Sequence, residues 1–116
     1  MAKILITLVS GPEAELRAKE GLSLARAIHE VGMAQAVSLF LTGPGVLALS
    51  SEDPRCVDLR EALEAVLAAG VPVAACTRSL AEHDLLGEVE ALGVAPAGAP
   101  VFLSEKIDEG YAMLSF

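Results

Sequence analysis

Lys3–Glu13 reads KILITLVSGPE, and this stretch decides the fold class. Lys3–Val9 is rich in aliphatic and β-branched residues, with too little polar alternation for a strand that faces water on one side. It predicts a strand buried on both faces. Ser10-Gly11-Pro12-Glu13 follows with the Ser-x-x-Glu spacing of a capping box and a proline in the first turn, so a helix starts directly behind the strand. A doubly buried strand feeding straight into a helix is how a parallel α/β sheet begins.

The same order recurs along the chain. The first helix is expected to run to about Val31, with Leu16, Leu24, Ile28 and Val31 on its inward stripe and Gly32 as its stop. Ala36–Leu41 predicts the second strand. Gly43 to Ser51 is long for a strand-to-helix link, and Val46-Leu47-Ala48-Leu49 predicts a helical turn of its own. Because that turn is apolar and uncharged, it is expected to pack against a neighbouring subunit. Asp53-Pro54 opens a second helix whose stripe is Leu59, Leu63 and Val66 and which Gly70 ends. Val71–Ala75 predicts a third strand that delivers Cys76 at its carboxyl end. Ser79-Leu80-Ala81-Glu82 is a second capping box and predicts a short helix stopping near Gly87. A weak strand near Val94, a helix around Val101–Asp108 and a strand Ala112–Phe116 complete an α/β chain, read as one domain over residues 1–116 with a mostly parallel sheet covered on both faces.

Composition narrows the function. Of 116 residues, 53% are hydrophobic and 21% charged, the opposite of a disordered chain, and mean hydropathy is +0.55. Such apolarity points to surface covered by other subunits. Sixteen acids oppose eight bases for a formal charge of −8, which excludes a direct nucleic-acid partner and disfavours an anionic membrane surface. The uncharged stretch from Val31 to Ser51 is long enough to span a bilayer, but Gly43-Pro44-Gly45 breaks it, and no membrane association is expected. The amino-terminal segment lacks a signal-peptide layout, and two cysteines are too few for a disulfide framework; a cytoplasmic protein with free thiols is expected. No phosphate-binding glycine loop is present, and the two His and two Cys do not have metal-ligand spacing, so neither a cofactor nor a metal is expected.

In parallel α/β sheets the chemistry gathers at the carboxyl ends of the strands. Cys76 is expected there, with helix N–H groups and Arg78 favouring its thiolate. A phospho-receiver reading fails because Ser10 and Cys76 stand where aspartates are needed. His83 lies within reach of Cys76 as a base or hydrogen-bond partner if its helix starts at Ser79. Cys56, in the first turn of the second helix, falls in line with the core stripe, yet that helix also starts at the carboxyl edge, so Cys56 is either a core residue or a resolving thiol for Cys76. His29 reads as structural or exposed.

In KILITLVSGP, Ala36–Val46 (AVSLFLTGPGV), Ala69–Cys76 (AGVPVAAC) and the closing AMLSF, the chain resembles the DsrE-like family, the small sulfur-relay proteins that include the DsrE/DsrF/DsrH and TusB/TusC/TusD subunits. The resemblance spans nearly the whole chain. It implies a three-layer α/β/α sandwich with about five strands, assembly as a homotrimer or homohexamer, and a persulfide carried on Cys76. The sulfur-transferring members often have a basic residue and a glycine in the helix after that cysteine, where this chain has Glu82, His83 and Asp84. The expected function is therefore that of an intracellular sulfur carrier or sulfurtransferase-like protein passing sulfur between donor and acceptor proteins. Cys76, Arg78 and His83 are its catalytic candidates, and Cys76 is expected in a partly exposed cleft. The alternatives are a non-enzymatic homo-oligomeric binding or regulatory module with an unreactive Cys76, and a thiol redox sensor pairing Cys56 with Cys76.

Overall fold

A computed structural model describes residues 1–116. Strand β1 (Lys3–Leu8) lies inside a five-stranded, wholly parallel sheet whose order is β4-β3-β2-β1-β5. Its neighbours are β2 (Ala36–Leu41) and β5 (Tyr111–Ser115); β3 (Val73–Cys76) and β4 (Ala95–Ala97) extend the sheet beyond β2. β1 is thus hydrogen-bonded on both edges, and because its two faces bury Ile6 and Leu8 on one side and Leu5 on the other, its sequence shows no solvent-facing alternation.

The strand order explains the layers. The chain steps outward from β1 through β2 and β3 to β4, and right-handed crossovers place every connection on one face. That face carries α1 (Glu15–Val31), α2 (Val57–Ala68) and the short helices α3 (Thr77–Glu82) and α4 (Val89–Leu92). From β4 the chain must return to the far side of β1. The direction reverses, so the same handedness places α5 (Ala99–Asp108) on the opposite face. The result is a three-layer α/β/α sandwich with unequal cores. A large core includes Ile6, Leu8, Leu39 and Leu41 under the first set of helices. A small one consists of Leu5, Phe40, Ala74 and Cys76 under α5.

Two expectations change. The inward stripe of α1 is Ala18, Gly21, Leu22 and Ala25, whereas Leu16 is 84% exposed and Val31 is also exposed. Small side chains let the helix axis approach the sheet, and the larger aliphatics flank that contact. The apolar turn Val46–Leu49 is not left for a neighbour. It belongs to a 3₁₀ segment, Gly43–Leu49, in which Val46, Ala48 and Leu49 are wholly buried in the chain's own core. Arg60 of α2 donates from Nη1 to the Leu49 carbonyl oxygen at 2.9 Å and anchors the end of the segment.

This turn lies hard against the ends of β1. A Cβ on Gly45 would stand 2.1 Å from the Leu8 carbonyl oxygen, and one on Gly11 would stand 2.3 Å from the Pro44 carbonyl oxygen. Both obstacles are backbone and have no rotamer to yield. Gly45→Ala is expected to destabilise the protein by about 3 kcal/mol through overpacking against backbone. In urea titrations its midpoint falls well below wild type. Gly87→Ala, where an added methyl meets nothing within 4 Å, leaves the midpoint unchanged or slightly raised.

Candidate functional site

Cys76 ends β3 and is itself the residue that caps α3, because that helix begins at Thr77. Ser79 therefore sits inside the first turn instead of capping it. Its hydroxyl is not spent on its own helix: Ser79 Oγ accepts a hydrogen bond of 2.8 Å from the backbone N–H of Gly43, in the turn after β2. Thr42, the last residue before that turn, extends the β2 direction beside the end of β3. The carboxyl ends of two adjacent strands and the start of α3 thus converge on one sulfur.

The surroundings of that sulfur act in opposite directions. Cys76 is only 6% exposed and packs in an apolar cluster with Leu5, Phe40 and Ala74. Burial is the largest single influence on the thiol and pushes its pKa up, but the backbone N–H and hydroxyl of Ser79, the Thr42 hydroxyl and the Arg78 N–H together outweigh it. The net shift is downward, toward thiolate. The short contact in this group is Gly43 to Ser79.

Cys56 behaves differently. It is wholly buried at the end of the turn Pro54–Cys56. Its thiol is pushed up, first by burial and then by the negative charge of Asp53. Asp53 Oδ1 accepts from Arg55 N at 2.9 Å and its carboxylate pairs with the Arg55 guanidinium at 2.8 Å, which holds the Asp53 pKa down at about 2. Both cysteines are free thiols, and their polar surroundings differ: Asp53, Arg55 and Glu15 for Cys56, and Thr42, Arg78 and Ser79 for Cys76.

The other candidates are placed as follows. The Arg78 side chain is 88% exposed and pairs with Glu82 Oε1 at 3.3 Å, so what Arg78 offers the sulfur is its backbone N–H. His83 ends α3, and its N–H donates to the Ser79 carbonyl oxygen. It lines a polar hollow of about 270 Å³ with Ser50, Glu52, Asp84 and Glu88. Because α3 starts three residues earlier than a cap at Ser79 requires, His83 falls at the far end of the helix. The expected partly exposed cleft is corrected too: the Cys76 sulfur is nearly enclosed, since Ala97, Ala99, Phe102 and Leu103 pack over its cluster. An apolar hollow of about 410 Å³ lies elsewhere, between α1, the segment that follows it and the start of β1, and Ile4, Leu24, Ile28 and Val31 line it without a polar side chain. No group of three or more His, Cys, Asp or Glu side chains is arranged to hold a metal ion. Sequence reasoning missed Thr42 and Ser79. The available signal was the polar residue that follows β2 in register with the one that ends β3.

The family model described as DsrE/DsrF-like matches residues 2–116. Among solved structures, the ychN protein of E. coli is 26% identical, with each chain covered in full and a TM-score of 0.81. A conserved protein of unknown function from Bacteroides thetaiotaomicron, BT1422, is 16% identical over 97% of this chain and 94% of that one, with a TM-score of 0.78. MTH1491 of Methanobacterium thermoautotrophicum, also of unknown function, is 18% identical with full coverage of both chains and a TM-score of 0.71. The last two likenesses concern the fold alone. No curated protein matches the chain.

The opposed shifts of the two thiols predict separable titrations. In a pH series of iodoacetamide labelling read by peptide mass spectrometry, the midpoint for Cys76 falls below that of an ordinary thiol and the midpoint for Cys56 above it. A lowered pKa means that Cys76 keeps its thiolate at pH values where Cys56 is still protonated.

Proposed function

Because the chain belongs to the DsrE/DsrF-like family, we propose that it is a carrier of sulfane sulfur, held as a persulfide on Cys76 and passed from a donor protein to an acceptor protein. The observation that carries this reading is the place of Cys76, buried at the carboxyl end of β3 as the cap of α3, where its thiol is shifted toward its anion. A structural cysteine in an apolar cluster is expected to be shifted toward the neutral thiol, yet the Cys76 thiol is shifted the other way by Ser79 and Arg78 in the first turn of α3 and by Thr42 after β2. Thiolate attack is the step sulfur transfer requires. In loading, the Cys76 thiolate attacks the outer sulfur of a donor persulfide, the Cys76 S–S bond forms, the donor S–S bond breaks and the donor leaves as thiolate. Discharge is the same exchange with an acceptor thiolate as nucleophile. No net oxidation occurs. Two cysteines are too few for a disulfide framework, and the cytoplasm is the proposed location.

A second reading is favoured by one observation, the near-complete enclosure of Cys76. On it, the protein is a homo-oligomeric binding or regulatory module whose cysteine is inert. Incubation with a small-molecule persulfide separates the two. The carrier gains the mass of one sulfur atom on the Cys76 peptide, Cys76→Ser gains none, and Cys56→Ser loads like wild type. Loss of loading only in Cys56→Ser, or no loading in any form, sinks the carrier reading.

We further propose a homotrimer or homohexamer. Leu16, Val31, Met33 and Leu114 are exposed, and a small acidic protein that keeps such side chains in water has apolar surface to cover. Light scattering at micromolar concentration is expected to give the mass of three or six chains. A monodisperse monomer overturns the assembly.

A further inference from the structure

Ser38 of β2 is only 5% exposed, yet its hydroxyl makes no hydrogen bond to any other group of the chain. The wholly enclosed side-chain oxygen without a partner is Thr7 Oγ1, so Ser38 Oγ keeps an opening. That opening is a hollow of about 380 Å³ at the amino edge of the sheet, which Ser38 lines together with His29, Gln35, Pro72 and Tyr111. Its size falls at the small end of the ~300–1,000 Å³ range of small-molecule sites. Along β2, Ser38 precedes Thr42 by four residues, about 13 Å of strand, so the hollow lies toward the opposite end of the sheet from Cys76.

Local structure builds the walls. Gly32 ends α1 in the left-handed region, with φ 75°, and turns the chain so that Gln35 N–H donates to the Ala2 carbonyl oxygen at 2.7 Å. Gln35 and His29, in the last turn of α1, are exposed at the mouth, whereas Ser38 forms the floor. Tyr111 opens β5. Its ring is already engaged by cations, with Lys106 Nζ 4.6 Å and Lys3 Nζ 5.9 Å from the centroid, so it offers no open face for stacking. Those cations are spent on Glu109: Lys3 donates to its carbonyl oxygen at 3.0 Å, and Lys106 pairs with its carboxylate at 3.9 Å.

No carboxylate, ammonium or guanidinium lines the hollow. Its polar side chains are a hydroxyl, a phenol, a carboxamide and an imidazole, each able to donate and to accept. A charged group seated there would lose its water without gaining a counter-charge. We propose that this hollow binds the neutral carboxamide or lactam group of a small molecule, with the Ser38 hydroxyl as its buried contact. Such a group carries donor and acceptor side by side, which the mixed set of side chains matches. The site lies apart from the sulfur chemistry and does not depend on it.

Nicotinamide is the probe, compared with nicotinate, which carries a carboxylate in place of the amide. Both are followed by NMR of the methyl groups of Ala34, Ala36 and Val37, residues that line the hollow. Nicotinamide is expected to shift these signals saturably at up to about 10 mM, and nicotinate to bind at least about tenfold more weakly. Ser38→Ala weakens nicotinamide binding about fivefold. Its urea midpoint stays at the wild-type value or rises, because the hydroxyl supports no bond within the fold. Tyr111→Phe, which keeps the ring beside Lys106 and removes only the oxygen, also weakens binding and serves if Ser38→Ala folds poorly. No saturable shift in wild type, equal binding of nicotinate, or unchanged affinity in both variants overturns the site.

Discussion

Two backbone-on-backbone contacts hold the carboxyl edge of the sheet together. Gly45 against the Leu8 carbonyl and Gly11 against the Pro44 carbonyl bring the turns after β1 and β2 closer than any side chain would permit. The rest of the edge follows. With the second turn pinned, Val46, Ala48 and Leu49 drop into the large core. Thr42 and Gly43 then hold their places beside the end of β3, and Ser79 finds its hydrogen-bond partner across the strands instead of within its own helix. A cluster built on the first residues of a six-residue helix would have little rigidity if that helix stood alone. Here the rigidity is borrowed from the sheet.

The two faces of the sheet differ in what they ask of the chain. Four helices share the first, and the large core lies beneath them. The second depends on α5, which buries no residue completely and whose main anchor is the stacking of Phe102 on Phe40, with ring centroids 4.7 Å apart. Cys76 belongs to this thinner core. A reactive group on the lightly covered face can be approached by small local openings, which on the thick face would cost a large part of the stability.

Enclosure and ionisation usually conflict, because an apolar setting penalises charge. Cys76 combines them by taking polar neighbours both from the first turn of its own helix, Arg78 and Ser79, and from Thr42 at the end of the adjacent strand. Cys56 shows what happens without that supply: buried likewise and near a carboxylate, its thiol is driven toward the neutral form. The two cysteines of one small protein thus mark the two outcomes of burial, and the difference lies in neighbours, not in depth.

The local chemistry of the chain determined the α/β alternation, the doubly buried β1, the inward Leu59, Leu63 and Val66 of α2, and the delivery of Cys76 to the carboxyl end of β3, since each rests on periodicity, capping and punctuation within a few residues. Tertiary structure decided whatever depends on distance between segments. The apolar turn Val46–Leu49 looked like a surface seeking a partner, because sequence cannot show that two glycines let it sink into its own core. The inward face of α1 was misread because close helix–sheet approach selects small residues, while periodicity weighs large ones. Ser79 looked like a cap, and only the placement of Gly43 gives its hydroxyl another task. A side chain's nearest residues in sequence set its backbone and part of its electrostatic setting, as Ser79 does for Cys76 and Asp53 for Cys56; its burial, and neighbours such as Thr42 that come from another strand, exist only once the sheet has formed.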